Sequence, residues 1–232
     1  MIAFKKVGQI GFGSAVALLG IAAGTPAMAG IIFNNGAPDL SNGWASDFSF
    51  PFQQADDFSL APGAETIRDV HWWGLYAFSN TPTAPDNFTI RIFADNGGVP
   101  AVNSLFNFNL GDVGRMDTGD NIFVFDVYKY SVDIPDTTLV PNTPYWLSIV
   151  NNTAADTDDG WFWATSSQTG NAAERVSDGQ NWVSPSAGPP GHELAFNLTT
   201  VPEPSAVLGL GLLGLGALVK RQLMPKQDSD KA

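Results

Sequence analysis

The sequence predicts an all-β fold: one antiparallel β-sandwich, jelly-roll-like in its arrangement, lying between two hydrophobic terminal segments. Two observations predict it. Between residues 30 and 200, aromatic and β-branched residues occur in short runs that Gly, Pro, Asn and Asp separate, which is the pattern of strands and turns. No segment of this part keeps a helical period over three turns. Roughly eight to eleven short strands in about 170 residues favour a single sandwich domain.

The strands can be placed by the alternation of apolar side chains, which has a period of two along a strand. Short strands are expected around residues 31–33, 56–60 and 105–110. Longer strands are expected over residues 70–78, 87–94, 144–150, 160–164 and 193–199. Their predicted inward side chains are Val70, Trp72, Tyr76 and Phe78; Phe88, Ile90 and Ile92; Tyr145, Leu147 and Ile149; Trp161 and Trp163; and Leu194, Phe196 and Leu198.

The longest strand-like run covers residues 121–132 and is apolar on both faces at its start. Such a run is typical of a strand that is buried between two layers. A tight turn is predicted over residues 95–98, because Asp, Asn and Gly tolerate a positive φ.

The composition excludes several classes of function. The chain has 23 acidic and 11 basic residues and no cysteine, and only five of the bases fall within residues 30–200. A surface this acidic repels phosphate backbones, so nucleic-acid binding is not expected. Without cysteine, thiol catalysis, cysteine-ligated zinc and iron–sulfur chemistry are excluded.

Residues 1–29 have the layout of a secretory signal peptide. Two lysines form a positive n-region ahead of an apolar h-region, residues 7–23. Ala27 and Ala29 form a small-x-small cleavage site before Gly30. The sequence therefore predicts export and cleavage by signal peptidase after Ala29. An uncleaved membrane anchor is the alternative.

The C-terminal segment, residues 201–221, has three parts in a fixed order. Pro202, Glu203 and Pro204 predict an extended, exposed stretch, because proline fixes its own φ and keeps the preceding residue out of the helical region. An uncharged run follows over residues 205–219, and two cations come directly after it.

The uncharged run predicts a membrane helix over residues 206–219. It is shorter than the roughly 20 residues that span a bilayer, but Lys220 and Arg221 can snorkel and so extend the effective span. A buried core helix is the alternative. It is disfavoured because each of the four glycines in the run would destabilise a soluble helix by about 1 kcal/mol. Small residues are common in membrane helices.

In this order, the three parts resemble the PEP-CTERM sorting signal of Gram-negative bacterial surface proteins. The resemblance implies processing near Pro202-Glu203-Pro204 by a membrane-embedded cysteine peptidase, an exosortase. It also implies a link to exopolysaccharide and biofilm matrix. The chain departs from the family in having eleven further residues, 222–232, after the cations; we expect them to form a polar cytoplasmic tail. The run from Trp72-Trp73-Gly74 through residues 86–98 to residues 145–152 is similar to a domain in other exported bacterial proteins with this signal, which implies export and a β fold but no particular activity.

No catalytic residue is predicted. Asp117-Thr118-Gly119 is the tripeptide of aspartic proteases, but a pepsin-like chain needs two copies, and the residues around this copy favour a plain turn. His71 and His192 are the only histidines, and no Gly-x-Ser-x-Gly motif accompanies them between residues 30 and 200. Structural roles are favoured for both, and an extracellular hydrolase is the least favoured of the functions considered.

No metal or other cofactor is assigned. Residues 156–160 resemble the start of a calcium loop, but the twelfth position is Ser167, where the full loop needs an acid. A solvated acidic loop is favoured, and calcium bound through Asp56, Asp57 or other loop acids is the open alternative.

The aromatic residues raise the question of a sugar platform. Most of the tryptophans alternate with the strand period, which favours core positions. Trp182 is the exception: it stands in a polar stretch, so we expect it to be exposed and to be the candidate glycan contact.

These observations predict an exported cell-surface or extracellular-matrix protein without catalytic activity, anchored at least transiently in the inner membrane. Its expected processing partners are signal peptidase and an exosortase. The alternative is a carbohydrate-binding module that acts on polysaccharide in the exopolysaccharide or biofilm matrix.

Overall fold

The computed structural model describes residues 30–78, 82–156, 158–184 and 193–200. Within these ranges all regular structure is β, and thirteen strands form two antiparallel sheets. The all-β class is thus confirmed, and the two sheets are consistent with a sandwich. None of the described ranges contains a helix able to cross a membrane. The predicted signal peptide and the predicted helix over residues 206–219 lie outside them.

The larger sheet has eight strands: β1 (Ile31–Asn34), β2 (Pro38–Ala45), β4 (Thr66–Ala77), β7 (Met116–Ile122), β8 (Phe125–Thr138), β10 (Gly160–Ser166), β12 (Glu193–Leu194) and β13 (Phe196–Thr199). The smaller sheet has five: β3 (Gln53–Phe58), β5 (Phe88–Ala94), β6 (Phe106–Gly111), β9 (Tyr145–Val150) and β11 (Ala172–Arg175).

The long strand β4 is the centre of the larger sheet. It pairs with β8 along one side and with β13 and then β10 along the other. β10 in turn pairs with β2 on the side away from β4. The smaller sheet has the order β11-β3-β9-β5-β6. β11 is thus an edge strand of the smaller sheet with β3 beside it, and β2 of the larger sheet contacts β3.

The core lies between the two sheets and is rich in aromatic rings. Phe88, from the smaller sheet, makes edge contacts with Trp72, Tyr130 and Trp161 of the larger sheet at centroid distances of 5.1, 4.9 and 5.1 Å. Such edge-to-face pairs add roughly 0.5–1.5 kcal/mol each beyond the burial of area. All the predicted inward side chains are buried, with the exception of Phe78.

Gly74 makes the close packing of Trp161 geometrically possible. A Cβ at this position would lie 2.5 Å from the Trp161 ring, closer than any van der Waals contact. The glycine in the middle of the predicted 70–78 strand is therefore a site of close approach, as glycine within strands often is.

Three strand predictions are wrong in detail. The predicted strand over residues 193–199 is broken at Ala195 into β12, which pairs with β10, and β13, which pairs with β4. Phe78 is 66% exposed and has a φ of +82°, because the chain turns out of β4 at this point. Residues 121–132 are a hairpin and not one buried strand: Ile122 ends β7, Phe125 begins β8, and Phe123 between them is 75% exposed. β8 then runs on to Thr138, beyond the predicted end.

Three strands, β2, β7 and β11, were not predicted, so the strand count exceeds the expected range. The Asp-Thr-Gly tripeptide lies in β7 instead of a plain turn. Its Gly119 has a φ of +78°, and the pairing register with β8 shifts between Asp117 and Asn121. The turn-forming residues thus produce an irregular strand, because β8 supplies pairing partners on both sides of the irregularity.

The two ends of the described domain meet. β1 pairs with β13, and Thr200 N donates a hydrogen bond to the Gly30 carbonyl oxygen at 3.1 Å. The chain therefore enters and leaves the folded part at one edge of the larger sheet.

Candidate ligand-binding site

A pocket of about 310 Å³ lies between the β2 border of the larger sheet and strands β3 and β11 of the smaller sheet. We call it the aromatic pocket. Its aromatic lining residues are Trp44, Phe52 and Phe162, and its polar lining residues are Asn42, Gln54 and Glu174. A pocket of this size, with apolar walls and a few polar groups, is typical of small-ligand sites.

Gln54 is the most deeply buried of these polar side chains, at 1% exposure. Its Nε2 donates a hydrogen bond to the Ala45 carbonyl oxygen at 3.1 Å, which fixes the amide against β2. Its Oε1 accepts no hydrogen bond from any part of the chain that the structure describes. This oxygen is shielded from solvent, and a buried acceptor without a donor is unfavourable by about 1–3 kcal/mol, so a ligand hydroxyl that displaced the wall over it would satisfy it.

The β2 wall depends on the absence of a side chain at Gly43. A Cβ there would lie 2.7 Å from Leu75 Cδ2, so only glycine lets β2 come this close to the residues beneath it. Asn42 and Trp44 flank Gly43 and, two apart on the strand, project to the same side. Both line the aromatic pocket.

A cluster of phenylalanines continues the aromatic surface beyond the pocket. The rings of Phe50, Phe78 and Phe162 lie 5.4 to 6.3 Å from one another, and Phe78 is the most exposed of the three. The positive φ of Phe78 is a strained conformation for a bulky side chain. Backbone strain of this kind is commonest at ligand sites and switch regions.

The electrostatics of the aromatic pocket disfavour anions. Among the described residues that line it, Glu174 alone carries a charge, and that charge is negative. The chain as a whole has a formal net charge of −12. A neutral ligand with hydroxyl donors suits both the Gln54 acceptor and the aromatic walls, whereas a phosphate or carboxylate would be repelled.

The sequence did not predict these pocket residues, and it misplaced the tryptophan that it did single out. Trp182 is 4% exposed and so is not available as a glycan contact. Its ring packs against Phe93 at 5.3 Å, and the Arg175 guanidinium lies over it at 4.4 Å. The polar residues next to Trp182 in the sequence do not cover it; Phe93 of β5 and Arg175 of β11 do.

Most of the remaining predicted site residues lie outside the part of the chain that the structure describes. The sorting motif Pro202-Glu203-Pro204, the cations Lys220 and Arg221, the cleavage-site residues Ala27 and Ala29, and His192 all lie outside the described residues. Gly30 is described and precedes β1.

The candidate catalytic residues that are described have local partners. His71 is buried within β4, and its Nε2 lies beside the Asp69 carboxylate at 2.5 Å. Asp117 accepts a hydrogen bond from the Gly119 backbone N–H at 2.8 Å, which is a contact within the irregular part of β7. The structure does not bring these two residues into one described site.

Among the described residues, two groups of acidic side chains are close enough to share a cation: Asp56 with Asp57 and Glu193, and Asp156 with Asp158 and Asp159. The second group is the predicted calcium-like loop. Hydrogen bonds from the Asp158 carboxyl and from Thr83 hold the pKa of Asp156 below its ordinary value. Thr83 donates from both its backbone N–H and its hydroxyl, at 3.1 and 2.7 Å, so this carboxylate already has partners within the chain.

Comparison with known proteins gives no match: no protein-family model, no curated protein and no solved structure is similar to this chain.

Proposed function

We propose that this chain is an exported, non-catalytic surface or matrix protein whose two ends direct its delivery and whose β-sandwich is the delivered part. The observation that carries the proposal is the fixed order of three parts in residues 202–221: Pro-Glu-Pro, an uncharged run and two adjacent cations. The order is more specific than any of its parts, and it resembles the PEP-CTERM signal.

In the proposed route, signal peptidase cleaves after Ala29, and the helix over residues 206–219 holds the chain in the inner membrane with the sandwich outside. The cations Lys220 and Arg221 keep residues 222–232 in the cytoplasm. An exosortase then acts near Pro202-Glu203-Pro204, because an extended, rigid segment just above the bilayer is accessible to a membrane peptidase.

The position of the domain ends supports this route. β1 begins at Ile31, directly after the predicted cleavage site, and β13 ends at Thr199, just before the sorting motif. Since Gly30 and Thr200 are hydrogen-bonded, both processing sites flank one edge of the sandwich. Removal of both terminal segments would leave every described strand pair in place. The jelly-roll-like connectivity remains a prediction.

Alanine substitution at Pro202, Glu203 and Pro204 together tests the sorting step in the producing cells. We expect the variant to stay in the membrane fraction, because an exosortase would no longer recognise it, while the parent chain reaches the surface or the medium. Lys226→Ala, in the predicted tail, is the matched control and should behave like the parent. Equal distribution of parent and triple variant would refute the sorting role.

A second function, binding of neutral glycan by the delivered sandwich, is favoured by one observation: the unused acceptor of Gln54 in a pocket with aromatic walls. The aromatic faces of Trp44 and Phe162 can cover the C–H faces of a sugar ring, while its hydroxyls supply donors. This replaces Trp182 as the expected glycan contact.

Binding of the purified protein to an array of neutral and uronic-acid polysaccharides tests this second function. We expect binding to neutral glycans that Trp44→Ala reduces about fivefold or more, since truncating an anchoring aromatic side chain in a binding site costs about 1 kcal/mol or more. Phe123→Ala is the control, because it removes an exposed aromatic side chain from the β7–β8 turn. Preference for uronic acids, or an equal loss in both variants, would contradict glycan binding in the aromatic pocket.

A further inference from the structure

Three carboxylates meet between the two sheets, away from the functions proposed above. Asp56 and Asp57 come from β3 of the smaller sheet, and Glu193 comes from β12 of the larger one. One oxygen of each lies within 4.8 Å of the other two. Since Ca²⁺–oxygen distances are about 2.4 Å, ligands of one ion can be at most about 4.8 Å apart. The three groups therefore fit around a single cation.

Two of these carboxylates are buried and have an unused oxygen. Asp56 is fully buried and Glu193 is 2% exposed. Asp56 Oδ1 and Glu193 Oε1 accept no hydrogen bond from the described parts of the chain. The other oxygen of Asp56, Oδ2, accepts a 2.5 Å hydrogen bond from the Leu194 backbone N–H, which holds the carboxylate against β12.

Among the described residues, no arginine forms an ion pair with these carboxylates, although the Asn35 side chain hydrogen-bonds to Glu193. The described ion pairs of Arg68, Arg91, Arg115 and Arg175 all go to other aspartates. Burial, the charge of Glu193 and the hydrogen bond with it raise the pKa of Asp56 well above its ordinary value. Burial likewise raises the pKa of Glu193. A bound cation would supply the counter-charge that these two buried carboxylates otherwise lack.

We infer that Asp56, Asp57 and Glu193 form a Ca²⁺ site that ties the two sheets together. Hard cations take carboxylate oxygens, and Ca²⁺ accepts irregular sets of six to eight ligands, whereas Mg²⁺ demands near-octahedral geometry and keeps most of its waters. Asp57 is half-buried, so the ion can enter and keep water ligands on that side. Its Oδ1 accepts a hydrogen bond from Asn171 N at 2.8 Å, which fixes its orientation.

Gly170 supports the geometry of this site. A Cβ at Gly170 would lie 2.2 Å from Glu193 Oε1, so the carboxylate occupies space that only glycine leaves open. Gly170→Ala should therefore displace Glu193 and weaken the site without removing a ligand.

Thermal unfolding of the chelator-treated full chain, measured with and without added Ca²⁺, tests the inference. With Ca²⁺ at about a hundredfold excess over its dissociation constant, we expect the melting temperature to rise by about 5–10 °C. Glu193→Gln and Asp57→Asn should each abolish most of the rise, and Gly170→Ala should reduce it. Asp57→Asn guards against misfolding, since Asp57 is half-buried and the change is isosteric.

Asp156→Asn with Asp158→Asn is the matched control, because it neutralises the other acidic group and should leave the rise intact. No rise with Ca²⁺, an undiminished rise in Glu193→Gln, or an equal rise with Mg²⁺ would each overturn the inference. These outcomes are independent of sorting and of glycan binding.

Discussion

The neighbouring glutamines Gln53 and Gln54 give a matched pair that separates binding from stability. Both are buried in β3, at 2% and 1% exposure, and they point to opposite faces of the strand. Gln53 Oε1 accepts hydrogen bonds from Arg175 Nε at 2.7 Å and from Arg91 Nη1 at 3.4 Å. Gln54 Oε1 has no described donor.

Substitution by Leu keeps the approximate shape of each side chain but removes the acceptor. Gln53→Leu removes a hydrogen bond to a charged group and leaves Arg175 short of a partner. We expect this to lower the free energy of unfolding by about 1.5–3 kcal/mol. That corresponds to a fall in melting temperature of roughly 3–12 °C for a domain of this size. Affinity for a neutral glycan should not change.

For Gln54→Leu the expected pattern is the reverse. No described partner of Oε1 is lost, and only the contact of Nε2 with Ala45 disappears, so stability should change by at most about 1 kcal/mol. The hydrogen bond to a sugar hydroxyl is lost, which is worth about 0.5–1.5 kcal/mol, or roughly a two- to twelvefold loss of affinity.

Isothermal titration with the best glycan from the array, together with thermal unfolding of both variants, measures the two quantities. If Gln54→Leu binds as tightly as the parent, or if Gln53→Leu loses as much affinity as Gln54→Leu, the unused acceptor is not the ligand contact.

Three further predictions concern stability. Asp47→Ala should lower the free energy of unfolding by about 3–5 kcal/mol, because this buried carboxylate accepts hydrogen bonds from the Trp161 backbone N–H and three other donors. Urea denaturation measures the free energy of unfolding, and a loss under 1 kcal/mol would contradict a stabilising role for Asp47. Gly74→Ala should lower the free energy of unfolding by about 1–3 kcal/mol through overpacking against Trp161, with a matching change in tryptophan fluorescence. Unchanged stability would show that the Trp161 ring can move aside. Chelator-treated protein should lose stability as the pH rises above 3.8–4.5, the ordinary pKa values of Asp56 and Glu193. The reason is that the pKa values of both groups are raised in the folded state, which therefore keeps protons that the unfolded chain has released. Urea denaturation across that pH range should show that the free energy of unfolding of Glu193→Gln depends less steeply on pH than that of the parent, and an identical slope would refute the assignment.

The strands that the sequence predicted correctly are those in which one face meets the core. Phe88, Ile90 and Ile92 alternate with Thr89 and Arg91 because these three side chains of β5 pack into the main core, and that alternation is visible in the sequence. The hairpin at Phe123 was missed for the opposite reason. Its turn residues are apolar and exposed, and Phe123 itself takes a φ of +56° where Gly or Asn would have marked a turn.

The aromatic pocket could not be predicted residue by residue, because its walls come from strands far apart in the sequence. Trp44 and Phe162 meet only because β2 pairs with β10, and Gln54 joins them from the other sheet. One signal was present: three phenylalanines fall within residues 48–52 beside a proline, which is dense for a segment that is not a core strand. Trp182 shows the limit of local polarity, since Arg175 and Phe93 bury it.

The intact mass of the protein recovered from the producing cells tests the central claim most directly. The account predicts a polypeptide that begins at Gly30 and ends near Pro202-Glu203-Pro204, with the acidic sandwich complete and both hydrophobic ends removed. A mass equal to that of all 232 residues, in protein taken from the cytosol, would contradict it.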